Sequence, residues 1–187
     1  MKTILPARLP LRNSVLFKLL LTFCFIGYGC AYSQSESNNM ITYDTTYLNS
    51  GITWTFRITR PADLFTANSP DTASRPAILS MPGIGEVGTN PSYLVKYGPH
   101  YWLKNGWDGG VQLGNGKHYP ILITIITDAT NVRPGYVLAM MYYLLDNYHI
   151  KRNSVHVAGL SMGGFTWGRF ICYAASAGDE RAMSLIK

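Results

Sequence analysis

The sequence predicts an α/β protein, a mostly parallel sheet with helices on both faces, and three observations carry that expectation. From Ala77 onward, short apolar runs alternate with segments of helical period, the pattern of successive βα units. The run Ile121 to Ile126 is almost wholly β-branched and shows no polar alternation, as expected of a strand buried on both faces. The run Val155 to Ala158 passes through a glycine-rich turn directly into a further helical stretch.

Taken in order, residues 1–33 read as an export signal: Lys2, Arg8, Arg12 and Lys18 form a basic start, Leu19 to Ile26 an apolar stretch, and Ala31-Tyr32-Ser33 a small-x-small cleavage site. Cleavage is expected before Gln34, which implies a secreted or periplasmic protein. The apolar run falls far short of the ~20 residues that span a bilayer, so no stable membrane span is expected. Lipidation at Cys30 is the less favoured reading, because Gly27 and Tyr28 are poor company for such a site. Loss of the signal removes Cys24 and Cys30 and leaves Cys172 alone, with no internal disulfide to form. Cys172 sits in an apolar helical stretch and is expected to be a small core residue.

Residues 34–187 are expected to be the N-terminal part of one domain. After a polar leader from Ser33 to Asn39, Met40 to Leu48 is rich in Thr and Tyr, and Gly51 to Thr59 places Ile52, Trp54, Phe56 and Ile58 on one face. These two segments predict an antiparallel pair with one covered face. Arg60 to Arg75 has the composition of a surface loop. Ala77 to Met81 is the next strand, followed by a helix starting near Asn90-Pro91, where Asn can cap and Pro suits the first turn. Asn105 to Lys117 is expected to be loop. Pro134 to Tyr148 predicts a helix with Val137, Met140, Met141, Leu144 and Leu145 as its apolar stripe.

Charge excludes one class of partner. The formal net charge is +6, but four of the basic residues lie in the first eighteen positions, and the remaining 12 face 10 acidic ones. With no basic stripe, nucleic acid is not an expected partner. No ligand set for a metal or cofactor is visible, and none is expected.

The chemistry resides in Gly159-Leu160-Ser161-Met162-Gly163-Gly164. This is G-x-S-x-G between a strand and a helix, the context of a nucleophile elbow. Gly159 and Gly163 are needed for space, since side chains there would collide with neighbouring backbone on so sharp a turn. The turn presents the Ser161 hydroxyl and places the Met162 amide at a helix N-terminus, where an oxyanion is favoured. A rival motif exists: Gly83, Gly85 and Gly88 spell G-x-G-x-x-G, with Asp108 at a suitable distance for a dinucleotide ribose. Asp108 lies in a glycine-rich loop instead of at a strand end, which argues against it.

The segments PAILSMPGIGEVG, KYGPHYWLKNG, HYPILITIIT and SVHVAGLSMGG resemble the esterase families of the α/β-hydrolase fold. These include secreted feruloyl and acetyl-xylan esterases, polyhydroxybutyrate depolymerases and small carboxylesterases. The resemblance spans roughly Ala77 to Ala175 and implies a serine carboxylic-ester hydrolase with Ser161 as nucleophile. It also implies a substrate that is a small-molecule or polysaccharide-linked ester. Where those families carry His-Gly-x-Gly at the first oxyanion donor, this chain has Pro82-Gly83-Ile84-Gly85, so the donor amide carries over to Ile84. Peptidase, thioesterase and acyltransferase chemistries share the elbow. Trp102, Trp107 and Tyr119 are read as packing and loop anchors in preference to a sugar-binding cleft.

The resemblance further implies the order Ser, acid, His, yet His100, His118, His149 and His156 all precede Ser161, and each is expected in a loop or on the surface. Asp179 and Glu180 follow the elbow too closely to be the acid. The expectation is a C-terminally truncated domain, with acid and base downstream of Lys187 and little turnover by the chain alone. The alternative is a non-catalytic protein on a hydrolase scaffold.

Overall fold

The computed structural model describes residues 39–65, 74–114 and 116–186. The expected export signal, with Cys24, Cys30 and Gln34, lies outside the described residues.

Alternation in the first two strands fixes their pairing. β1 (Met40–Asn49) and β2 (Ile52–Pro61) form an antiparallel hairpin whose turn residues, Ser50 and Gly51, have φ of 50° and 78°. Two positive φ values make the tight turn whose twist suits a hairpin, and the glycine takes the second without a Cβ penalty. Trp54, Phe56 and Ile58 are completely buried on one face of β2. The other face is buried too, through Thr55 and Thr59, so the expected single covered face is corrected. β2 runs two residues beyond the expected boundary and leads into a 3-10 turn over Ala62–Phe65.

The apolar runs build the centre. β3 (Arg75–Met81), β6 (Ile121–Thr127) and β7 (Ile150–Gly159) are parallel to one another, and the order across the sheet is β1-β2-β6-β3-β7. β2 pairs with β6 in the antiparallel sense. All seven residues of β6 are buried, which is why its sequence shows no alternation. β7 is the outer strand, where Val155 takes a single parallel bridge from Ile186.

Helices cover both faces. α1 (Pro99–Lys104) lies on the face carrying Thr59 and Thr124, to which its His100 is bonded. α2 (Pro134–Asn147) and α3 (Met162–Ser176) pack on the opposite face, where Val137, Met140, Leu144, Trp167 and Phe170 join Phe56, Leu79 and Ile123 in one core. The five stripe residues expected of α2 are all buried. Burying a side chain of this size contributes about 1.5–3 kcal/mol, so Met140→Ala or Leu144→Ala would be among the costliest single truncations. α4 (Glu180–Met183) is one turn, capped by Asp179, whose carboxylate accepts from Ala182 N at 2.9 Å.

Three other expectations change. Asn90 does cap, accepting from Ser92 N at 3.0 Å, but a 3-10 turn over Pro91–Val95 follows and the α-helix begins only at Pro99. Gly98 intervenes with φ 75° and abuts Ser80, breaking the helical path where the chain crosses β3. The Asn105 to Lys117 stretch contains a small hairpin, β4 (Val111–Leu113) and β5 (Gly116–His118). Asp108 holds it by accepting from Gly110 N and Tyr119 OH, each at 3.1 Å, and by pairing with Lys117. Trp107 Nε1 donates to Gly110 O at 3.0 Å and Tyr119 is buried, so both are loop anchors, whereas Trp102 is 59% exposed. Cys172 is exposed on α3, contrary to its expected place in the core, on a face that also shows Phe165 and Tyr173 to solvent.

Candidate active site

β7 ends at Gly159 and α3 begins at Met162, so only Leu160 and Ser161 turn the chain. Ser161 adopts φ 50°, ψ −114°, a conformation that costs an L-residue about 1–3 kcal/mol and persists only where the surroundings impose it. Those surroundings are visible. Leu160 N donates to Met81 O at 3.0 Å, and Gly163 N lies 3.1 Å from Pro82 O and 2.9 Å from Leu160 O. From the helix side, Trp167 Nε1 donates to Ala158 O at 3.0 Å. The elbow is therefore bonded to the ends of both β3 and β7.

The glycines earn their places by close approach. A Cβ on Gly159 would strike the backbone of Gly163 and Gly164, and one on Gly163 would strike the Met81 carbonyl and lie 2.7 Å from Met81 Cβ. Ser161 itself is exposed at the carboxyl end of the sheet.

Pro82-Gly83-Ile84-Gly85 runs beside the elbow: a Cβ on Gly83 would stand 3.6 Å from Ser161 Cβ. Ile84 opens a 3-10 turn over Ile84–Glu86 and Met162 opens α3. Amides in such first positions have no acceptor within their own helix. Pro82 closes the strand end onto the elbow, its carbonyl accepting from Gly163 N.

None of the four histidines belongs to the elbow or to the loop of Ile84. His100 is 2% exposed, with Nδ1 2.6 Å from Thr124 Oγ1 and Nε2 3.0 Å from Thr59 Oγ1. Burial, reinforced by Arg57 and opposed by Asp44, lowers its pKa to about 4. This overturns its expected place in a loop or on the surface. His118 ends β5, His149 precedes β7, and His156 faces solvent from β7 beside Ile78. Glu180 is exposed on α4. The structure thus brings Ser161, Met162, Gly163 and Gly83 together, with Ile84 next to Gly83 in the chain, and among the described residues it adds no histidine to the elbow.

Sequence reasoning missed Glu86, which is 8% exposed and 3.5 Å from Lys96 Nζ. The dinucleotide motif fails structurally, because Gly88 leads into a short 3-10 turn and not a helix, and Asp108 serves the β4-β5 hairpin. Among the described residues, no group of three or more His, Cys, Asp or Glu could hold a metal ion.

The mixed sheet, with helices on both faces and a serine at the turn between its outer parallel strand and the following helix, is α/β-hydrolase-like in fold. Solved structures similar to the chain include a fungal esterase from Rhizomucor miehei, at 18% identity and TM-score 0.48, matching 79% of this chain and 42% of that one. Esterase Est22 shows 13% identity and TM-score 0.46 over 79% of this chain and 41% of its own. S-formylglutathione hydrolase FrmB from Staphylococcus aureus shows 19% identity and TM-score 0.44, over 75% of this chain and 55% of its own. The chain thus spans roughly two fifths to just over half the length of these proteins, and likeness at this level carries no chemistry across. No protein-family model and no curated protein matches the sequence.

Proposed function

We propose that this chain supplies the nucleophile and oxyanion site of a serine hydrolase acting on carboxylic esters. The observation that carries the reading is Ser161, exposed and strained at φ 50° between two glycines that no larger residue could replace. Strain at an exposed hydroxyl, maintained by bonds from two strands, is what presentation of a nucleophile requires. In this reading Ser161 Oγ attacks the ester carbonyl carbon, the C=O electrons move onto oxygen, and the Ile84 and Met162 amides hold that oxyanion. Collapse expels the alcohol and leaves an acyl-enzyme, which water hydrolyses to the free acid. Each well-aimed donor is worth about 3–4 kcal/mol of transition-state stabilisation. The base that takes the Ser161 proton, and the acid that orients it, come from outside the described residues.

The absence of a histidine at the elbow among the described residues favours a second reading, a non-catalytic protein on the same scaffold. Incubation with p-nitrophenyl acetate, with imidazole added as external base, separates the two. An acetyl group on Ser161 in peptide mass analysis, absent from Ser161→Ala, supports the hydrolase; acetylation confined to lysines supports the scaffold.

A further inference from the structure

Glu86 is nine-tenths buried in the loop that carries Ile84, an unusual place for a carboxylate. One oxygen, Oε1, faces Lys96 Nζ at 3.5 Å, with the Lys96 side chain half exposed. The other, Oε2, borders the same spot as the nucleophile: a Cβ on Gly83 would lie 3.7 Å from Oε2 and 3.6 Å from Ser161 Cβ. The loop is tied both within itself and to β6, since Glu86 N donates to Gly83 O at 3.2 Å and Gly88 N to Thr127 O at 2.9 Å.

Beneath it is a small, partly open pocket of about 20 Å³, lined among others by Gly83, Glu86, Met162, Thr166 and Trp54. That is room for one water molecule, provided it meets two or more polar partners. Trp54 supplies a second polar group: it is completely buried, and its Nε1 has no hydrogen-bond partner among the described residues. A buried N–H left unpaired costs about 1–3 kcal/mol, so two residues that carry a donor and an acceptor and line one water-sized space point to a bridge.

We propose that Glu86 is a positioning residue for the oxyanion loop, held by Lys96 outside and inside by one water bridging its carboxylate to the Trp54 indole. The bridge fixes the loop against β2, and so sets the Ile84 amide relative to Ser161. Lys96 offsets the carboxylate's charge, which would otherwise oppose a nearby oxyanion. This assignment rests on the reading of Ile84 as an oxyanion donor.

The test is NMR on the 187-residue chain. The Trp54 Hε1 resonance should show a cross-peak to a bound water. Glu86→Ala should abolish it and move the Ile84 amide resonance, whereas Glu86→Gln, which keeps an acceptor, should retain the cross-peak. With imidazole as external base, phosphonylation of Ser161 should be slowed about tenfold or more in Glu86→Ala and largely rescued in Glu86→Gln. No water contact at Trp54 in the wild type, its loss in Glu86→Gln, or an unmoved Ile84 amide in Glu86→Ala overturns the proposal. Should Glu86→Ala fail to fold, the wild type and Glu86→Gln decide it alone. Failure of the hydrolase reading shows separately, as a wild-type Ser161 that is never phosphonylated, while the resonances still judge the bridge.

Discussion

Acidification should destabilise this fold through one side chain, His100. Its ring is 2% exposed and bridges Thr124 and Thr59, and Thr59 passes the chain on to Thr42 at 2.6 Å. Burial first and the Arg57 charge second lower its pKa from 6.5 to about 4, with Asp44 pulling the other way. Between those values the unfolded chain binds a proton that the folded chain refuses. The contribution is therefore fully present above the unfolded pKa of 6.5 and lost as pH falls toward 4. At 1.36 kcal/mol per unit, the gap is worth about 3 kcal/mol. Urea unfolding followed by circular dichroism from about pH 7.5 to pH 4, on wild type and His100→Gln, isolates it because the other histidines are common to both. The stability difference between the two proteins should shift by about 3 kcal/mol across that range, in the direction of a wild type weakened by acid. Parallel curves would refute the reasoning and place the charged imidazole comfortably inside the fold.

Other outcomes follow from the elbow and its approaches. Gly163→Ala must push α3 off the Met81 carbonyl and should cost at least ~1–3 kcal/mol in urea unfolding, with Gly168→Ala, whose Cβ meets nothing within 4 Å, as the benign control. Ser161→Ala should leave stability within ~0.5 kcal/mol of wild type, because the backbone strain stays and only an exposed oxygen is removed. Expression in a secreting bacterium should yield a mature protein beginning at Gln34 by N-terminal sequencing; an intact Met1, or a lipid on Cys30, would overturn the export reading.

The parts of the fold legible in the sequence were those where burial follows the local period. Ile121 to Ile126 announces a doubly covered strand, the α2 stripe was read residue for residue, and Trp54-x-Phe56-x-Ile58 gives its own inward face. The elbow was legible because its glycines answer a local steric demand. What escaped notice depends on elements distant in sequence. His100 is buried because α1 lays it across Thr59 and Thr124, and only the inward polar row of β2 hinted at that. Glu86 is buried by the return of the loop against β6, which no period records. Cys172 misled because α3 is apolar nearly all round, so sequence alone did not single out the face that Phe165, Cys172 and Tyr173 turn to solvent.

In the proposed reading Ser161 is a nucleophile awaiting a base. A fluorophosphonate probe tests it most directly, applied to the 187-residue chain with and without imidazole and read by peptide mass analysis. Slow labelling of Ser161 alone, rising in proportion to the free imidazole and absent from Ser161→Ala, is the result expected, since an external base replaces the one the described residues lack. Ser161 left unmodified at every imidazole concentration in a folded protein would contradict it.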